Sequence, residues 1–157
     1  MKITLAWLKK NNACSAGMEY CEQKGLIGLP ADEFAEKLVE GNKLSWANWL
    51  IARALKKLDK VRYAAHAAEQ VLPIFDKKYP KDDRPKNAIA AAKAYIENPY
   101  VHAAHDAAYA AAFAAAYAVA HAGVDAAYAV AHAGIYEKIL RYGINLLKNE
   151  NRKEDYR

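Results

Sequence analysis

Four of the five histidines fall at positions 102, 105, 121 and 132. Carboxylates stand four residues from two of them: Asp106 after His102 and Asp125 after His121. Residues four apart share a helix face and can touch, so His102, His105, Asp106, His121 and Asp125 are the candidates for a metal or acid/base site. His132 could join them if two helices fold against each other. The pattern argues against both uses. No two histidines flank a glutamate on one helix, and metal sites in helical bundles draw on several glutamates, whereas residues 101–134 contain none. These side chains read instead as a polar seam bonded to tyrosine or aspartate, and no cofactor is expected.

Cys14 and Cys21 lie seven residues apart, which is two turns, or about 10 Å, along one helix face. That separation is too long for a disulfide, and two further zinc ligands are missing nearby. Both cysteines read as small buried hydrophobes in a reducing compartment. No phosphate-cradling glycine loop, nucleophile elbow or cysteine–histidine pair occurs. The expectation is a protein that is not an enzyme and acts by binding.

The residues that could bind are charged. Arg53, Lys56, Lys57, Lys60 and Arg62 gather on the polar side of one helical stretch, a candidate electrostatic contact that also reads as a solvated face. Asp82, Asp83 and Arg84 form a loop motif whose structural reading is that the aspartates cap the next helix and the arginine pairs across the loop. The ladder His105, Tyr109, Phe113, Tyr117, His121, Asp125 drifts about 40° per step around a helix. It lies in a segment without Lys or Arg, so it reads as core rather than as a platform for bases.

The elements that must carry these residues are helices throughout. Residues 13–24 and 32–40 form two short helices ended by Gly25 and by Gly41-Asn42. Ser45 caps a helix to about residue 58, in which Trp46, Trp49, Leu50, Ala54 and Leu58 follow the helical period and read as core. Asp59 opens the next helix, with Val61, Ala65, Ala68, Leu72 and Phe75 on one face and Pro73 loosening its last turns. Residues 79–85 are the clearest loop. Asp83 and Pro85 start a helix over 84–97, and Asn98-Pro99 ends it.

From residue 103 to 134, 18 of 32 residues are alanine, and Ala116-Tyr117-Ala118-Val119-Ala120-His121-Ala122-Gly123 recurs at 127–134. The offset of eleven residues, about three turns, keeps the repeat near one face. Gly123 could end one helix so that 100–122 and 125–148 pack antiparallel; one kinked helix is the alternative. Alanine faces allow the closest approach between helices. The predicted fold is an all-α helical bundle in a single domain, 1–157. It comprises a short N-terminal helical module (1–43), central helices (44–98), the alanine-rich helices (100–148) and a frayed charged tail (149–157).

With 23 basic and 18 acidic side chains the net charge is +5, mild enough for solubility alone and sufficient to favour an acidic partner. The apolar run at residues 3–8 is too short for a signal peptide or a membrane span. A cytoplasmic protein without membrane contact is expected, and an alanine-rich face could also close a homo-oligomer.

A resemblance sharpens this. Trp49-Leu50-Ile51-Ala52-Arg53, residues 67–75, the loop 79–85 with its Asp82-Asp83-Arg84-Pro85 core, and Ala88-Ile89-Ala90-Ala91-Ala92-Lys93-Ala94-Tyr95 together resemble the Imm-5-like bacterial immunity proteins. Members are similar in continuing into an alanine- and histidine-rich helical tail, and they include phage-encoded relatives. The resemblance implies a helical inhibitor that neutralises a toxin by direct binding, or, in a phage copy, a host defence protein. It assigns no residues. The partner expected for a basic chain is a protein with an acidic or apolar surface. Nucleic acid bound along residues 53–62 is the alternative reading, and a metal-dependent enzyme at the histidine seam the third.

Overall fold

A computed structural model describes residues 1–98 and 133–155. Among these the regular elements are all α-helices, with one isolated backbone bridge between Lys2 and Pro30. The all-α class is as the periodicity predicts. The histidine seam at residues 102–125 and most of the alanine-rich repeat lie outside the described residues. The chain divides into two compact units, Met1–Leu55 with Gly143–Arg157, and Lys56–Tyr142.

The first unit holds α1 (Leu5–Lys10), α2 (Ser15–Gln23), α3 (Ala31–Glu40) and α4 (Leu44–Ala54). Helix α1 starts where the Thr4 hydroxyl accepts the Trp7 N–H at 3.1 Å, satisfying one of the amides that a helix start leaves open. Helix α2 starts on Cys14, whose sulfur accepts the Gly17 N–H at 3.4 Å. Cys14 is therefore a cap and not a member of the helix face, and it is exposed while Cys21 is buried. This corrects the expectation that both thiols are buried: a capping side chain folds back over the open end of its helix instead of lying along the packed side.

Helix α3 carries Asp32 and Glu33 in its first turn, where the helix dipole favours them, and buries Phe34, Ala35 and Leu38. It ends at Gly41, with Asn42 in the left-handed region at φ 54°. Gly41 leaves room for Tyr20: a Cβ there would stand 2.1 Å from the Tyr20 hydroxyl, which would have to move aside.

Helix α4 begins at Leu44, with Lys43 at the capping position and no side-chain cap bond. Ser45, the expected cap, lies inside the first turn. The helix stops at Ala54 instead of continuing to residue 58, because Leu55 turns to extended backbone (φ −63°, ψ 145°) and is only 2% exposed. Burying that side chain offsets the loss of helix propagation, since a buried leucine contributes about 1.5–3 kcal/mol.

The last helix, α7 (Ala133–Asp155), gives its C-terminal part to the first unit. Ile144 and Leu147 are buried there, as are Ile3, Leu8, Leu26, Phe34 and Leu50 elsewhere in the unit. Lys148 pairs with Glu36, and the Asn151 amide donates to Asp32 at 2.6 Å. The stretch expected to fray from residue 149 is thus helical to Asp155, and Glu150 is buried within it. The Lys148–Glu36 and Asn151–Asp32 contacts tie this polar stretch to α3.

The second unit is built on α5 (Lys57–Lys78) and α6 (Arg84–Glu97), joined by the short loop between them. Helix α5 runs through Pro73 without ending, although proline supplies no N–H to the carbonyl one turn back. The two helices meet on alanine. Val61 and Ala65 cluster with Ala92, flanked by Tyr95 and Ile96, while Ala64 and Ala68 cluster with Ile89, flanked by Leu72. Two ion pairs run across the hairpin: Asp76 with Lys86 at 3.2 Å, and Glu69 with Lys93.

Candidate functional site

In the first unit, a pocket of about 320 Å³ opens between α2, α3 and α4. Its walls include both tryptophans of α4, Trp46 and Trp49, with Phe34, Leu38 and Leu50 deeper and the exposed Cys14 at the edge. Each tryptophan is held by a second aromatic ring. Tyr20 meets Trp46 at 5.5 Å and 62°, and Trp7 meets Trp49 at 6.1 Å and 83°, both edge-to-face arrangements that the ring quadrupoles favour. A cation also stands against each: Lys43 Nζ lies 5.2 Å from the Trp46 ring, and the Arg53 guanidinium 4.5 Å from that of Trp49. Burial, and then the neighbouring Cys14, push the Cys21 thiol up to about 11, leaving it protonated and unreactive near neutral pH. The sequence reading placed both tryptophans in the core. They share one helix face, as the spacing implies, but that face is only partly covered.

The predicted contact residues separate. Arg53 belongs to α4, Lys56 stands at the N-terminal capping position of α5, and Lys57, Lys60 and Arg62 lie on α5; the boundary expected between residues 58 and 59 falls at Leu55 instead, which moves Lys56 and Lys57 away from Arg53. Arg62 binds Asp59 at 2.6 Å, which draws its charge inward. Lys56 and Lys57 are also engaged in contacts.

The loop motif resolves more sharply. Asp82, not Asp83, is the anchor. Its carboxylate accepts the Arg84 backbone N–H at 3.1 Å and takes the guanidinium with both oxygens, at 2.8 Å from Nε and 2.6 Å from Nη2. The side-chain and backbone bonds from Arg84 hold the Asp82 carboxyl down to about 2. Asp83 occupies the capping position of α6 without a side-chain cap bond and lies 3.5 Å from Lys86. The pair Asp82 and Arg84 therefore starts a helix, and Arg84 remains exposed at its tip.

Against this fold, residues 52–136 match the family model described as "Imm-5 like putative immunity protein", which covers more than half of the chain. The chain belongs to this family. Searches of curated proteins and of solved structures found no match. The Imm-5-like segment contains the whole α5–α6 hairpin, the Asp82–Arg84 clamp and every predicted contact residue; the pocket lined by Trp46 and Trp49 precedes it.

Within the Imm-5-like segment the sequence reading passed over His66. Its ring stacks on Tyr142 at 4.0 Å and 21°, and burial lowers its pKa, with Glu69 opposing. The i,i+4 rule that singled out the other histidines gives no signal for a partner 76 residues away. Tyr63 on the same helix is buried, which raises its phenol far above the usual range. Among the described residues there is no cluster of His, Cys, Asp or Glu suited to a metal ion, and no helix is long and apolar enough to cross a membrane.

Proposed function

We propose that this Imm-5-like protein is a non-catalytic inhibitor that neutralises a toxic protein by binding it directly. In a phage-borne copy the target is a host defence protein. Family membership over residues 52–136 carries the reading. The exposed hairpin end with Asp83 and Arg84, and the cations Arg53, Lys56, Lys57, Lys60 and Arg62, are the contact residues of this proposal, with Asp82 holding Arg84 in place. A chain of net charge +5 favours a target surface that is acidic or apolar. Action in the cytoplasm, where Cys14 and Cys21 stay reduced, belongs to the same proposal.

The test is an affinity pull-down from native host lysate with the tagged chain, washed at low and at high salt, followed by mass spectrometry. One protein retained near stoichiometrically through high salt supports the inhibitor and identifies its target. Recovery of nucleic acid alone, lost steeply as salt rises, would replace this reading with a nucleic-acid contact along residues 53–62.

A further inference from the structure

We propose that the pocket beside α4 receives an aromatic side chain of the bound protein that stands between carboxylates, a proposal that rests on the inhibitor reading above. A cavity of about 320 Å³ lies at the small end of ligand-site volumes and has ample room for an aromatic ring, since about 150 Å³ suffices for benzene. Aromatic anchors seated in such pockets dominate protein–protein affinity. The inserted ring meets Trp46 and Trp49, which already make edge-to-face contacts with Tyr20 and Trp7, so ring-on-ring packing continues an existing arrangement.

The flanking charge follows from what stands beside those tryptophans. The pocket is lined by neutral side chains, and a cation stands over each of its two indoles, Lys43 on Trp46 and Arg53 on Trp49. Lys43 occupies the capping position of α4, where the helix dipole opposes a positive charge and favours an acid. The helix therefore gains nothing from a lysine there, and the lysine's position beside Trp46 and Tyr20 gives it a use outside the helix. Two cations at an apolar pocket attract a segment carrying carboxylates and repel one carrying lysines.

The test uses the full chain and two blocked pentapeptides, each with a central phenylalanine, flanked by two aspartates on each side in one and by two lysines on each side in the other. Tryptophan-selective fluorescence reports binding, because the peptides contain no tryptophan. Protection of Cys14 from iodoacetamide is the second readout, with buried Cys21 as the internal reference. The aspartate peptide is expected to saturate and to bind about tenfold tighter than the lysine peptide, with the order reversed in the Lys43→Glu/Arg53→Glu variant.

Ser45→Trp, placed on an exposed residue that lines the pocket, fills it and abolishes both responses. Lys43→Glu adds an acid where α4 favours one, so folding persists and circular dichroism verifies it. No saturable response to the aspartate peptide, equal binding of the two peptides, or unchanged binding by folded Ser45→Trp would overturn the proposal. Equal retention of a target protein by wild type and Ser45→Trp would overturn the pocket and leave the inhibitor reading standing. Peptide preference without any protein capture would overturn the inhibitor reading instead.

Discussion

Replacing Ile89 with alanine removes three carbons from the cluster it forms with Ala64 and Ala68, where it is 6% exposed. At about 0.8 kcal/mol per buried carbon the transfer loss is about 2.4 kcal/mol. A cavity contribution adds to it, and here it should stay close to its full size. The facing alanines of α5 have no side chain to swing into the gap, and among the described residues of the cluster Leu72 is the one long enough to reach part of it. A total of about 3–4 kcal/mol is expected, within the range for isoleucine-to-alanine changes in cores. The measurement is urea unfolding followed by circular dichroism, comparing midpoints at unchanged slope. A loss below about 1 kcal/mol, the size of a surface substitution, would refute the alanine-on-alanine packing of the hairpin and with it the positioning of the 82–84 loop.

Three further outcomes follow from individual contacts. His66 has a lowered pKa in the folded chain, so the unfolded chain binds more protons below the ordinary value of 6.5. Stability should fall as pH drops through that value, and His66→Phe, which keeps a ring on Tyr142, should flatten the wild-type profile in denaturation midpoints between pH 7 and 5. An unchanged profile would exclude His66 as its source. Asp82 is depressed to about 2, so the clamp on Arg84 persists above pH 4 and loosens only as pH falls toward 2. Asp82→Asn should speed amide exchange in the first turn of α6 at neutral pH, an effect absent if Asp83 were the anchor. Gly41→Ala puts a methyl group into the space of the Tyr20 hydroxyl; a shifted Trp46 emission is expected, and an unperturbed spectrum would deny the contact between Tyr20 and Trp46.

Helix α6 was readable to the residue because its ends are set by local covalent chemistry: Pro85 suits the first turn, and Asn98-Pro99 blocks the last. The end of α4 was not. The apolar period continues through Ala54 and Leu58 without glycine or proline, whereas Leu55 turns to extended backbone and is buried, a tertiary feature that the local pattern does not carry. The same break places Arg53 on α4 and Lys57, which shares a helical-wheel face with it, on α5. Cys14 was misread because cysteine is not among the residues that ordinarily cap. The pocket escaped notice because Trp46 and Trp49 show the spacing of a core face, and spacing reports which residues share a side, not whether that side is fully covered. Asp82, Asp83 and Arg84 are adjacent in the loop, but the guanidinium geometry pairs Asp82 with Arg84 and leaves Asp83 beside Lys86.

The partnership of α7 with the first unit has a consequence for biosynthesis. Asn151 reaches back 119 residues to Asp32, and Ile144 and Leu147 are buried in a unit whose other helices all lie before residue 56. At elongation rates of about 5–20 residues per second, the ribosome needs about 6–24 s to travel between these partners. Throughout that interval the nascent N-terminal helices emerge without the helix that completes them, and the apolar surface they expose is available to chaperones or to a neighbouring chain on the same message.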